Sequence, residues 1–173
     1  TTGSRNTAIG VGSLGANTTA NDNTALGYAS LLTNTTGHSN VAVGHDAMES
    51  NTTGSENTAV GFDALKANTT AENNVAIGRL AGTGITTGSQ NTIVGAAAMQ
   101  TNSTGAGNVA IGLSALAVAQ GSDNVAVGRS AGDAVTTAAN NILIGTDAGG
   151  SLTTGGNHVA IGKDSLSQCT TGT

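Results

Sequence analysis

The sequence predicts an all-β chain, a parallel β-solenoid or β-roll with one coil per repeat. Three observations carry that expectation: a phrase that recurs every seventeen residues, a strand-like alternation inside it, and a glycine fixed at its end. Composition agrees by elimination. Only 32 of the 173 residues are Leu, Ile, Val or Phe, and Tyr28 and Phe62 are the sole aromatics, which is too little bulk for an ordinary globular core. Disorder fits no better, because charged residues make up 9%, the formal net charge is −5 and proline is absent.

The phrase is Asn, Thr or Val, Ala, aliphatic, Gly. It first runs from Asn6 to Gly10, then ends at Gly27, Gly44, Gly61, Gly78, Gly95 and Gly112. One step of sixteen leads to Gly128, and seventeens resume at Gly145 and Gly162, where His158 replaces the leading Asn. Numbered from that Asn, a copy reads N-T/V-A-I/V-G-x-x-A-L-x-x-N-T-T-G-x-x. Ten copies cover the chain, so residues 1–173 form one repeat array with no room for a second domain.

A seventeen-residue unit is too short for two helices, and its Gly, Asn and β-branched residues are poor helix formers. It accommodates two short strands and two turns. Positions two and four, such as Val41 and Val43 or Ile142 and Ile144, share one face of a strand, and the residue between them takes the other. Where position two is Thr (Thr7, Thr24, Thr58, Thr92), that layer is only partly dry. Glycine at position five fits a backbone with φ > 0 or a close approach of another strand. Ten coils at ~4.8 Å spacing make a rod on the order of 45–50 Å long.

The copies also covary. Position nine is Leu or Met in Leu14, Leu31, Met48, Leu65, Met99 and Leu116, and in five of those copies position twelve is Asn: Asn17, Asn34, Asn51, Asn68 and Asn102. Where position nine becomes Gly82, Gly132 or Gly149, position twelve becomes Ile85, Val135 or Leu152. One pocket per coil, filled once from either side of a turn, accounts for the exchange. Cys169 takes a pocket-filling position and reads as a small buried hydrophobe. The chain opens and stops at the same point in the repeat, so the array is expected to be an uncapped excerpt of a longer fibre.

The chemical motifs are weak. Gly10-Val-Gly12-Ser-Leu-Gly15 matches a dinucleotide fingerprint, but the other copies lack it, and no cofactor is expected. Gly128-Arg-Ser130-Ala-Gly132 matches a nucleophile elbow, yet the parallel copy has Leu80 in place of the serine; no catalytic residue is assigned and no enzyme is expected. The histidines fall at repeat positions sixteen, six and one and do not stack. Asp46 and Asp63, like Asp147 and Asp164, share position seven in successive coils, where a cation could sit between each pair; they read as solvated carboxylates at a turn, so no metal is assigned. The five basic residues form no cluster, which argues against nucleic acid, and no run approaches the roughly 20 apolar residues of a membrane helix. Thr pairs such as Thr35/Thr36 present one hydroxyl column per face rather than the flat double column of an ice binder. The Asn residues at position twelve also form N-x-S/T sequons, which matter only in a glycosylating host. One feature suggests surface recognition: Tyr28, His45, Phe62 and Arg79 occupy position six in four consecutive coils.

The repeated phrase with its trailing N-T-T-G resembles the head repeats of trimeric autotransporter adhesins of the YadA type, and still more the repeat arrays of phage and bacterial tail-fibre proteins. The resemblance spans all ten copies. It implies a left-handed coil, three associated chains, and an extracellular, cell-surface or virion-borne structural segment that acts as a spacer with attachment to a host glycan or protein. The alternative is a ligand-binding solenoid, carbohydrate-binding or ice-binding. For self-association, the column Ala8, Ala25, Ala42, Ala59 and Ala76 offers a small-residue seam between chains.

Overall fold

The computed structural model describes residues 2–171, and each copy contributes one three-residue strand. These are Thr7–Ile9 (β1), Thr24–Leu26 (β2), Val41–Val43 (β3), Thr58–Val60 (β4), Val75–Ile77 (β5), Thr92–Val94 (β6), Val109–Ile111 (β7), Val125–Val127 (β8), Ile142–Ile144 (β9) and Val159–Ile161 (β10). They form a single parallel sheet in chain order, with equivalent residues side by side, as in Ala25 beside Ala42. The chain is a β-solenoid, as the repeat requires.

The second expected strand does not form. Left-handed residues interrupt that stretch, Asp46 at φ 57° and Met48 at φ 53° in the third copy, and the same two positions are left-handed in the neighbouring copies. Alternating left-handed residues curl the backbone out of extended geometry. Coil-to-coil bonding continues regardless: Met48 N–H donates to Ala64 O at 3.0 Å, Ser50 N–H to Lys66 O at 3.0 Å and Thr52 N–H to Thr69 O at 3.0 Å.

The two faces of the strand are assigned opposite to the expected seam. Ala25, Ala42, Ala59, Ala76, Ala110 and Ala126 lie fully buried inside the coil, whereas Val and Ile at positions two and four point outward. Ala8, in the first coil, is exposed. The alanine column therefore cannot be a seam between chains.

Asparagine sets the width of the coil. Each leading Asn from Asn6 to Asn141 donates its side-chain amide to the carbonyl at position fifteen of its own coil, or position fourteen (Gly121) in the sixteen-residue copy, at 2.8–3.2 Å, which closes the loop. Its Oδ1 accepts the backbone N–H of the leading residue in the next coil, for example Asn40 N–H to Asn23 Oδ1 at 2.9 Å. Buried amides that are fully partnered in this way stabilise the fold, and leaving any of them unpaired costs on the order of 1–3 kcal/mol per group.

Both readings of the position-five glycine hold together. Gly78 has φ 134°, and a Cβ there would lie 2.7 Å from the carbonyl carbon of Gly95 in the next coil. The shared pocket is real as well. Leu31, Met48, Leu65, Met99 and Leu116 are fully buried, and so are Ile85, Val135 and Leu152. A Cβ on Gly82 would sit 3.1 Å from Ile85 Cδ1, so the two positions compete for one space. Position three joins the compensation: Ile93 and Leu143 replace the usual alanine, and their methyl groups reach 2.9 Å and 2.7 Å from the points where Gly82 and Gly132 would carry a Cβ. Cys169 and Leu166 are half-buried against the core in the last coil.

The sixteen-residue copy is repaired by a side chain. Gln120 Oε1 accepts Ser103 N–H at 3.0 Å and Ser103 Oγ at 2.9 Å, while its Nε2 donates to Thr101 O at 2.7 Å. In intact copies a backbone carbonyl accepts the equivalent N–H, as Thr52 O does for Thr35 at 3.0 Å. The glutamine amide thus stands in for the missing peptide unit.

Candidate functional site: the outward sheet face and its aromatic column

Because the coils stack in register, residues at one repeat position form columns along the rod. Position four gives an aliphatic column on the outer sheet face, with Leu26 44%, Ile77 42% and Ile111 39% exposed, and position two a parallel column of Val, Ile and Thr. Position six continues that face just past the glycine, carrying Val11, Tyr28, Phe62 and Leu113, all about half exposed or more. Apolar surface in continuous columns is unusual on a monomer and marks contact surfaces.

The structure brings three of the four proposed recognition residues into direct contact. His45 stacks between Tyr28, with ring centroids 4.8 Å apart, and Phe62, at 5.4 Å, each pair inclined by 27°. Arg79 is exposed one coil further along the column. Both faces of the His45 ring are covered by its neighbours, so the stack offers its edges and the outer faces of Tyr28 and Phe62.

Beside this column lies a charged cluster that the repeat positions only half revealed. Lys66 Nζ stands 2.7 Å from Asp46 Oδ2, 3.3 Å from Asp63 Oδ1 and 3.4 Å from Glu49 Oε2. The bonds to these carboxylates, that to Asp46 foremost, raise the Lys66 ammonium above its ordinary pKa of 10.5, against a smaller opposing effect of burial. Asp46 and Asp63 share position seven, which the sequence showed; Glu49 and Lys66 share position ten, a signal that went unread. The other carboxylate pair has separate basic partners, Arg129 at 3.1 Å from Asp147 and Lys163 at 2.8 Å from Asp164.

The remaining motifs stay apart from this face. In each Thr pair the first hydroxyl is spent on the main chain, as in Thr35 Oγ1 to Thr52 O at 3.0 Å, and only the second residue is exposed in the coils of Thr36, Thr53, Thr70 and Thr87. Asn34, Asn51, Asn68 and Asn102 are fully buried, and Asn17 is half-buried, so the sequons line the interior. No helix is long and apolar enough to cross a membrane among the described residues. Comparison with known proteins finds no matching family model, no matching curated protein and no matching solved structure.

Proposed function

We propose that the chain is a non-enzymatic structural segment of an extracellular or virion-borne fibre that self-associates, as a trimer, through the outward Val and Ile face. The observation that carries this reading is the outward aliphatic column at position four, which runs the length of the sheet beside a column of Val, Ile and Thr at position two, with position six as the margin. A strip three or four residue columns wide and ten coils long covers roughly 500–700 Å², close to the ~800 Å² per partner of a stable interface. Trimeric assembly and attachment to host surfaces come from the likeness to adhesin heads and tail fibres. The aromatic column at the margin of the seam, Tyr28, His45, Phe62 and Arg79, is the surface proposed to meet a host glycan or protein.

Sedimentation velocity tests the assembly. The chain of 16.5 kDa is expected to sediment as a species of three copies, and Ile77→Glu with Ile111→Glu is expected to give monomers with an unchanged β-sheet circular dichroism spectrum. A parent chain that sediments as a clean monomer overturns the reading. The half-exposed ring stack favours a second reading, a carbohydrate-binding solenoid, which predicts glycan-array signal that Tyr28→Ala and Phe62→Ala remove.

A further inference from the structure

The geometry points to a divalent-cation site of the zinc type formed by His45, Asp46 and Asp63, and we propose that it binds Zn²⁺ in competition with the Lys66 ammonium. One ligand atom from each of these three residues lies within 4.8 Å of the other two. Donors bound to zinc at ~2.0–2.2 Å sit roughly 3–4 Å from one another, so a small contraction of the side chains completes the set. One imidazole with two carboxylates is a donor set that zinc and its neighbours in the transition series accept.

A second observation is independent of that spacing. Asp46 is 9% exposed, and its Oδ1 is buried without a hydrogen-bond partner, although His45 Nδ1 is only 3.2 Å away. Lys66 serves the other oxygen, Oδ2, at 2.7 Å. A buried carboxylate oxygen whose hydrogen bond is not made is costly to keep, and it faces the very imidazole that a metal would bridge. Charge agrees: Asp46, Glu49 and Asp63 against Lys66 leave a formal excess of two negative charges before any ion enters.

The scaffold is fixed before binding. Asp46 N–H donates to Tyr28 O at 2.9 Å and Asp63 N–H to His45 O at 3.0 Å, which holds both position-seven residues in coil register. The His45 ring is held between Tyr28 and Phe62. Lys66 is the movable part, on a flexible stem with 35% of its side chain exposed and with Glu49 beside it to receive the ammonium when the ion enters. Removing this like charge from within about 4–5 Å of the metal is expected to tighten binding by about tenfold or more.

Isothermal titration of the full chain with zinc chloride in a non-chelating buffer is the test. The parent is expected to bind one Zn²⁺ saturably, His45→Ala to abolish binding, Lys66→Gln to tighten it by about tenfold, and His38→Ala to leave it unchanged. Circular dichroism confirms that each variant keeps its sheet. No saturable binding by the parent overturns the proposal, including the case where only Lys66→Gln binds, because the native lysine then excludes the ion. Binding that survives His45→Ala overturns it as well.

Discussion

Asn57 donates both its backbone N–H and its side-chain amide to Asn40 Oδ1, at 3.0 and 3.2 Å, and the same amide reaches Ala71 O at 2.8 Å. One side chain therefore closes its own coil and ties it to the coil before. Asn57→Ala removes bonds to partners in three coils and leaves Asn74 N–H, which donates to Asn57 Oδ1 at 3.0 Å, without its acceptor. The expected loss is about 3 kcal/mol or more by urea unfolding, and a loss below about 1 kcal/mol would mean that the ladder follows the fold without holding it.

The shared pocket is open to a double-mutant cycle. Leu65→Gly should cost about 3–5 kcal/mol, as large-to-small changes at fully buried sites do. Adding Asn68→Ile refills the space in the way that Gly82 and Ile85 do naturally, but gives up the bonds from Asn68 to Asn51 Oδ1 and Ala71 O. Rescue is therefore partial, with a coupling of about 2 kcal/mol expected from the cycle. Simple additivity would show that the two positions fill separate spaces.

Gln120 carries a repair that can be undone and redone. Gln120→Ala leaves Ser103 N–H without its acceptor and should lower stability by about 1–2 kcal/mol. Replacing Gln120 by two threonines restores the seventeen-residue spacing and should recover that loss. Thermal melts of the three chains decide the matter, and a two-threonine chain no better than the alanine variant would refute the substitution of side chain for peptide.

Lys66→Met probes the charged cluster. With a third of the side chain exposed, solvent screens the pairing, so the expected cost is about 1 kcal/mol, shrinking in 1 M salt. The Lys66 pKa is raised in the folded chain, so its contribution is complete below the unfolded value of 10.5 and declines as pH climbs toward the higher folded value. The difference between parent and variant should be level from pH 6 to 9 and narrow above pH 10.5, as read by urea midpoints across that range.

Period, strand, glycine corner and pocket exchange were all legible, because each leaves a mark at a fixed repeat position. The orientation of the strand was not. Hydrophobicity alone sends Val41 and Val43 inward and Ala42 out, yet the Asn closures make the coil so narrow that the strand face and the position-nine side chain share one small space. Only Ala fits there, except beside Gly82, Gly132 and Gly149, where Ile93 and Leu143 find room. That pairing of a bulky position three with a glycine at position nine was the available clue. The Tyr28, His45 and Phe62 stack follows from register and was legible; the Lys66 cluster joins positions seven and ten of different coils and was not.

Each strand touches only its immediate neighbours, and the bonds between coils lie along the rod. Under tension applied at a terminus, the outermost coil peels first while the rest of the stack stays intact. Every coil that yields shortens the rod by ~5 Å but releases seventeen residues, up to roughly 55–60 Å of extended chain. A solenoid built this way gives under load in discrete steps and extends, one coil at a time, instead of snapping.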